Sequence, residues 1–365
     1  MKLGYAFWGF LSDYKIERGQ EVSTPDGNAA YSWSILWEAQ QRGWETHLLH
    51  KDRDAECYSK FACSSFGSFS QKMRDDAYRR ALKGESLDEL KDLDVVLLEW
   101  RWPIPGRNSD ISITDPAYQP DLDRQREILK HCVENKIKLI IWDLDHKLTL
   151  EDVEMWKPDA VFETSVWPHC DAMKTIRVEP PIVINELYQF DTLPASESRK
   201  LVYIGSRYER DDVIEKWIKP VSDEYPFEVE FWGNWTREPN LSECREMWPN
   251  ILYNRRITMK DFRGVYGTAA ACPILGKSSY LNYGFITPRP WEALMFGTIP
   301  VGLSSHVGIY DYVMNTARNP DDLMEIVYNL SVMDCDSRDK LRRANIEKLR
   351  FMDVSNFVNK IVRVL

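Results

Sequence analysis

The chain has 365 residues, of which 44% are hydrophobic and 28% charged, and this length favours two domains over one. The first apolar run is broken by Asp13, so it is too short for a membrane span, and no small-residue cleavage site follows it. The seven cysteines are scattered and form no CxxC pair, which disfavours a disulfide scaffold and a zinc knuckle. We therefore expect a cytoplasmic protein.

The formal net charge of −10 is unevenly distributed. Residues 1–190 hold 24 Lys and Arg against 33 Asp and Glu, whereas residues 191–365 hold 23 against 24. Because phosphate contacts need clustered cations, a broad nonspecific surface for nucleic acid is disfavoured. A local basic cleft is left open.

Apolar runs that predict buried strands recur through the first half, and amphipathic stretches of helix length lie between them, notably at residues 28–42 and 121–135. The strand-like runs begin at Lys2, Glu45, Asp94, Ile137 and Ala160. A strand, a helix and then another strand predict a parallel sheet.

The polar residues 186–200 predict a linker, after which the same pattern restarts. The second set of strand-like runs is LVYIGS, FEVEFWGN, ILYN, TAAACPIL and TIPVGL, with a helix over residues 210–224 and three helices from residue 320 onward. Two Rossmann-like domains, residues 1–190 and 191–350, are therefore predicted. We expect the last helix, in residues 351–365, to pack back on the first domain.

Two strand ends in the second half combine glycine with polar residues. Ligands of an open parallel sheet bind at the carboxyl ends of its strands, where glycine lets the backbone approach an anion and arginine can bind phosphate oxygens in pairs. The residues concerned are Gly205, Ser206, Arg207, Arg210, Gly233 and Asn234. Taken alone, each motif is equally compatible with an ordinary turn.

The stretch GFITPRPWEALMFGTIPVG, residues 284–302, places Arg289 and Glu292 one helical turn apart. Pro290 suits the first turn of a helix over residues 291–296, and Gly297 suits its end. A surface ion pair is the ordinary interpretation, but both flanks are apolar, and buried charges require partners. A nucleotide sugar would supply such partners, with the arginine on its diphosphate and the carboxylate on its two ribose hydroxyls.

Asp143 and Asp145 follow the apolar run LIIW, beside His146. Three interpretations compete for these acids: a metal site for a diphosphate, a general base, and solvated loop carboxylates. The two-domain plan disfavours the metal, because arginines in the other half are expected to hold the diphosphate. The choice between a base and solvated acids stays open on these residues alone.

The loop at residues 99–120 is rich in Trp, Pro and Arg and is too long for a simple connector. Trp100, Arg101, Trp102 and Arg107 are candidates for stacking on a base or sugar of an acceptor. A well-packed loop without a ligand is the alternative.

The order of VYIGS, VEFWGN, ILYNRRITM and LGKSSYLNYGFITPRPWE resembles the donor domain of bacteriophage DNA β-glucosyltransferases of the T-even type, over most of residues 200–300. The resemblance implies the α/β fold called GT-B, with two Rossmann-like domains facing each other across a cleft. Residues 1–190 would form the acceptor side, and residues 191–350 would bind the nucleotide sugar. It further implies transfer of glucose from UDP-glucose to 5-hydroxymethylcytosine in DNA, with inversion, in a host cytoplasm.

Carried over by position, the resemblance assigns Arg289 to the diphosphate and Glu292 to the ribose. Gly205 and Ser206 would line the phosphate loop, and the backbone from Tyr253 to Arg256 would meet the uracil. Tyr208 stands where the family has an arginine, which leaves open whether Arg207 or Arg210 reaches phosphate.

In the first half, KIKLIIWD is similar to the strand that ends in the family's catalytic aspartate. The match is short, and it favours Asp143 over Asp145 as the general base.

The leading hypothesis is a UDP-sugar-dependent hexosyl- or pentosyltransferase that acts on a hydroxymethylated pyrimidine base in DNA. No divalent metal is expected for donor binding, and a role for a metal in UDP release is left open. The alternatives are a GT-B enzyme with a protein, glycan or small-molecule acceptor, and a nonenzymatic protein that binds nucleotide sugars. Neither a membrane nor an obligate protein partner is expected.

Overall fold

The structure is a computed structural model, and it falls into two compact units. Unit 1 comprises Met1–Ile182 and Met352–Leu365, and unit 2 comprises Val183–Phe351. The sequence prediction placed the first boundary later, after residue 190. The residues that the structure describes are 1–6, 26–50, 77, 80–83, 86–100, 119–188, 198–224, 226–236, 239–255, 257, 259–285, 287–304 and 315–365.

Within these residues, unit 1 is built on a parallel sheet of seven strands. The strands are β1 (Lys2–Ala6), β2 (Glu45–Leu48), β3 (Leu82–Lys83), β4 (Val95–Glu99), β5 (Lys138–Asp143), β6 (Ala160–Glu163) and β7 (Ile176–Arg177). Their order is β3-β2-β1-β4-β5-β6-β7. Strands β4 and β5 are buried almost throughout, as expected where both faces of a parallel sheet are covered, and this burial explains their continuous apolar sequences.

Unit 2 holds a second parallel sheet, with six strands among its described residues. They are β8 (Lys200–Ile204), β9 (Glu228–Trp232), β10 (Ile251–Asn254), β11 (Ala271–Ile274), β12 (Ile299–Leu303) and β13 (Asn315–Ala317), in the order β10-β9-β8-β11-β12-β13. The chain order reverses between β8 and β11, so the sheet has a switch point there.

The described helices fall mostly between strands. They are α1 (Asp26–Gln41), α2 (Gln119–Asn135), α3 (Leu150–Trp156), α4 (Ile184–Leu187), α5 (Asp211–Val213), α6 (Lys219–Asp223), α7 (Asn240–Met247), α8 (Met259–Tyr266), α9 (Ser278–Tyr283), α10 (Arg289–Met295), α11 (Pro320–Ser331), α12 (Cys335–Lys348) and α13 (Val354–Val364). A π-helical turn over Ile214–Ile218 joins α5 to α6. None of these helices is long and apolar enough to cross a membrane.

Helix α13 belongs to unit 1 although the chain reaches it from unit 2. Its apolar residues recur at helical spacing, and Val354, Phe357, Val358 and Ile361 are buried. The Phe357 ring lies 4.8 Å from that of Trp142 on β5, measured between ring centroids. Burial of this apolar face holds the carboxyl-terminal helix on the sheet of unit 1.

The strand and helix predictions agree with the structure wherever a long apolar or amphipathic run supported them. Ten predicted strands are present, as are the three helices from residue 320 onward. Strands β3, β7 and β13 were missed, because two or three residues at a sheet edge are too few to show a period. The helix predicted over residues 291–296 begins earlier, at Arg289.

Candidate functional site

In unit 2, the two glycine turns that the sequence singled out lie side by side. Gly205 follows β8 and donates its N–H to the carbonyl of Trp232 at 2.8 Å, and the N–H of Gly233 reaches the carbonyl of Asn254 at 3.2 Å. Gly233 has φ of 152°, and a Cβ built on it would lie 1.9 Å from the Gly205 carbonyl oxygen. Only glycine permits this close approach of two backbones.

The buried guanidinium of Arg210 shapes the turn after β8. Its Nε donates to the carbonyl of Leu275 at 3.0 Å, and its Nη1 donates to the carbonyls of Ser206 and Tyr208 at 3.2 and 2.8 Å. Arg210 thereby ties the segment after β8 to the segment after β11. Ser206 is left half-buried at the surface of this turn.

Arg207 is held by acidic side chains instead. Its guanidinium pairs with Asp211 at 2.6 Å and with Glu243, and lies 5.7 Å from the centroid of the Trp248 ring. The hydrogen bonds to Asp211 raise the pKa of Arg207. The sequence did not decide which of the two arginines reaches phosphate. In the structure, the Arg210 side chain stabilises the turn after β8, whereas the Arg207 side chain pairs with Asp211 and Glu243.

Arg289 and Glu292 form an ion pair in the first turn of α10. The Glu292 side chain is 1% exposed and the Arg289 side chain 25% exposed, so Arg289 carries the accessible part of the pair. Burial raises the pKa of Glu292, and the charge of Arg289 opposes that rise. Burial lowers the pKa of Arg289, but the field and hydrogen bond of Glu292, together with Tyr266 and Tyr203, outweigh burial and raise it. Helix α10 ends before Gly297, whose φ is 90°.

Tyr253 lies on β10, at the end of the sheet order. Its hydroxyl contacts the carbonyls of Cys244 and Trp248, each at 3.1 Å, so these two carbonyls hold the side chain in place. The predicted contact with a uracil would therefore fall to the backbone here. Asn234 is half-buried in the turn after β9, and Arg256 lies outside the described residues.

Lys277 is a cation that the sequence analysis missed. It follows β11, and its Nζ lies 4.3 Å from the centroid of the Tyr208 ring and 5.0 Å from that of Tyr280. The strand-end rule applied to Gly205 and Gly233 would have identified it, since it also follows a buried strand.

In unit 1, Asp143 is the last residue of β5 and is 0% exposed. Its Oδ1 accepts the N–H of Lys147 and its Oδ2 accepts the N–H of Leu148, both at 2.9 Å. The loop can return to its own strand end because His146 adopts φ of 56°. Burial raises the pKa of Asp143 to about 6, although the two N–H donors oppose the rise.

Glu163 and His169 are charged neighbours of Asp143 that the sequence analysis did not identify. Glu163 ends β6 in register with Asp143, and it accepts hydrogen bonds from the hydroxyl of Ser165 and the N–H of His169. The hydrogen bond to Glu163 raises the pKa of His169 to about 8. Burial lowers the pKa of the nearby His146 to about 4.

The predicted acceptor loop is only partly described. Trp100 is 7% exposed and packs in the core of unit 1, which corrects the expectation that its ring stacks on an acceptor. Arg101, Trp102 and Arg107 lie outside the described residues. Trp167, which the sequence analysis passed over, is 48% exposed in the loop after β6.

No protein-family model matches the chain, and no curated protein matches it. Among solved structures, the chain is similar to a mutant of T4 phage BGT in complex with UDP-glucose, with a TM-score of 0.61 and 14% identity over 100% of this chain and 99% of the other. A second match is described as the DNA modifying enzyme β-glucosyltransferase, with a TM-score of 0.56 and 14% identity over 100% and 99% of the two chains.

Two further matches come from other organisms. Anabaena HepE in complex with UDP and glucose has a TM-score of 0.53 and 9% identity over 100% of this chain and 98% of the other. A mutant of Thermobaculum terrenum O-GlcNAc transferase has a TM-score of 0.53 and 10% identity, covering 100% of this chain and 67% of the other. Together with the two parallel sheets, these likenesses show that the chain has the GT-B fold.

Proposed function

We propose that the protein is a UDP-sugar-dependent glycosyltransferase that moves a sugar to a hydroxymethylated pyrimidine base in DNA. The observation that carries the proposal is the Arg289–Glu292 pair, in which a buried carboxylate lies beside the partly exposed side chain of Arg289. A pair built for stability alone would gain little, because desolvation offsets much of the attraction between buried charges. The exposed part of the Arg289 side chain offers an approach for an anion.

The donor would be held by unit 2. The Arg289 guanidinium suits a diphosphate, and the Glu292 carboxylate suits paired ribose hydroxyls. The turns at Gly205 and Gly233 bring backbone to the same sheet edge, where Ser206 and Lys277 add polar groups. UDP-glucose is the proposed donor, since solved structures of the same fold hold UDP-glucose or UDP with glucose.

The base would be supplied by unit 1. Asp143 accepts the proton of a hydroxymethyl group as its oxygen attacks C1 of the sugar, and the bond from C1 to the diphosphate oxygen breaks. The negative charge leaves with UDP, and Arg289 stabilises it. Attack from the face opposite to the leaving group inverts C1.

A base within duplex DNA must be flipped out of the stack before it can be modified. Trp167 offers an exposed aromatic ring near the strand end that carries the Asp143 network, and an extruded base can stack on such a ring. Arg101, Trp102 and Arg107 stay candidates for further contacts. That one of the similar structures is a DNA modifying enzyme supports a DNA acceptor.

The acidic first half favours a second candidate, a GT-B transferase with a protein, glycan or small-molecule acceptor. Residues 1–190 carry nine more acidic than basic side chains, which repel a phosphate backbone.

Turnover of UDP-glucose on matched DNA duplexes tests the proposal. One duplex contains 5-hydroxymethylcytosine and the other contains cytosine at the same positions, and both UDP release and the mass of the DNA are measured. We expect UDP release and a hexose mass increment on the modified duplex alone. Equal hydrolysis with both duplexes contradicts the DNA acceptor, and failure to bind any UDP-sugar contradicts the transferase.

A further inference from the structure

His169 lies between the two buried carboxylates at the sheet edge of unit 1. Its Nδ1 is 3.2 Å from Oε2 of Glu163, and its Nε2 is 2.9 Å from the carbonyl oxygen of Leu148 and 3.8 Å from Oδ2 of Asp143. All these partners are hydrogen-bond acceptors. A proton on each ring nitrogen satisfies these acceptors together, so the geometry favours the imidazolium form of the ring.

The same ring secures a backbone donor of Asp143. Leu148 donates its N–H to Asp143 and accepts a hydrogen bond from His169 at its carbonyl. The ring therefore restrains Leu148 at its carbonyl, and the N–H of the same residue orients the Asp143 carboxylate. Glu163 fixes the ring in turn, through the side chain and the backbone N–H of His169.

We propose that His169, held charged by Glu163, is a positioning residue that keeps the Asp143 carboxylate ionised and oriented to accept a proton. The inference rests on the proposed function, because it takes Asp143 as the general base. Asp143 is 0% exposed, and burial by itself favours the neutral acid. A cation 3.8 Å away opposes that preference.

The other charged groups of the cluster do not replace His169. The like charge of Asp145 adds to the rise in the pKa of Asp143. The positive charge of Lys147 contributes to lowering the pKa of His146. The Nε2 of His146 lies 3.7 Å from Oε1 of Glu163, but burial keeps this ring neutral at pH 7. The carboxylate of Glu163 stays ionised, because hydrogen bonds from His169 and Ser165 outweigh its burial and lower its pKa.

The protonation state of His169 is tested without turnover. The full chain is labelled with ¹³Cε1-histidine, and the six histidines are titrated by NMR, with His169→Gln and His169→Asn assigning the signal. We expect His169 to titrate near pH 8, and its pKa to fall toward the ordinary value of about 6.5 in Glu163→Gln. A wild-type ring that titrates at or below that ordinary value overturns the inference.

The effect on Asp143 is tested by the pH dependence of kcat/KM with UDP-glucose and hydroxymethylated DNA. The wild-type acid limb should lie near pH 6. In His169→Gln, which keeps a donor toward Leu148 but loses the charge, we expect the limb to move up by about one pH unit. That shift is a roughly fivefold loss at pH 6 and approaches about tenfold at lower pH. Activity should return to within about threefold of wild type above pH 8, whereas damage to the fold would persist at every pH.

His131→Gln is the matched control, because His131 is a buried histidine of unit 1 that contacts the carbonyl oxygen of Leu90 at 3.2 Å. Its acid limb should match that of wild type. A His169→Gln limb that also stays at the wild-type pH overturns the inference while the proposed function stands. A wild-type enzyme that transfers no sugar overturns both.

Discussion

The two units present opposite charges at the carboxyl ends of similar parallel sheets. In unit 1, Asp143 and Glu163 are buried and are balanced by N–H donors and by His169. In unit 2, the charged groups singled out after the strands include arginines, and Arg207 and Arg289 are paired with carboxylates. The strand-end geometry is shared, so the side chains decide that one edge suits proton acceptance and the other suits anion binding.

The largest expected effect comes from Asp143→Asn, which removes the proposed proton acceptor of unit 1. We expect kcat to fall by about 10³-fold, within the range of general-base catalysis, while UDP affinity measured by calorimetry stays within about twofold. Asp145→Asn, on the same loop, is the control and should retain turnover. An Asp143→Asn enzyme within about tenfold of wild type would remove Asp143 from its assigned role, and thermal melting reports whether the variant is folded.

Gly233→Ala probes the backbone contact in unit 2. The new Cβ would lie 1.9 Å from the Gly205 carbonyl oxygen at a φ of 152°, so we expect the free energy of unfolding to fall by about 3 kcal/mol, as measured by urea denaturation. Gly264→Ala is the control, because its Cβ meets nothing within 4 Å in α8. The free energy of unfolding of that variant should rise by about 0.5–1 kcal/mol, because alanine favours a helix more than glycine does. Equal stabilities would show that the two turns are not in close contact.

Glu292→Ala tests the proposed ribose contact of unit 2. We expect the Kd for UDP to rise by a factor that corresponds to about 1–3 kcal/mol, because a charge-assisted hydrogen bond is lost. Glu347→Ala is the matched control, since Glu347 also pairs with an arginine three residues away, Arg350, but at the surface. An unchanged Kd for Glu292→Ala in calorimetry would contradict the assignment.

Arg207→Gln should have the smallest effect. Its ion pairs with Asp211 and Glu243 are partly exposed, so we expect the free energy of unfolding to change by less than about 1 kcal/mol and the Kd for UDP by less than about threefold. Arg210→Gln should lower the free energy of unfolding and raise the Kd for UDP by more than Arg207→Gln does, because three carbonyls lose their donor. The opposite ranking would assign the diphosphate to Arg207.

The polar residues that the sequence analysis identified were those marked by position along the chain. Asp143 and Gly205 follow long apolar runs, so the strand-end rule found them. His169 follows a strand as well, but six residues after Glu163 and behind a turn, and no local pattern links it to Asp143. Trp100 illustrates the reverse error, because an aromatic residue at a strand end serves a core as readily as a ligand.

The sequence by itself determined the two parallel sheets, since buried strands require apolar runs that remain visible in any context. It also placed Arg289 and Glu292 on one face of a helix, because residues three apart share a face. It favoured a nucleotide sugar as their partner, whereas in the structure the two side chains pair with each other. Only the tertiary structure decided which arginine shapes the turn after β8 and which cation approaches Asp143. Those choices depend on contacts between strands that are distant in the chain, and the energy of a buried charge is set by the groups around it rather than by its neighbours in sequence.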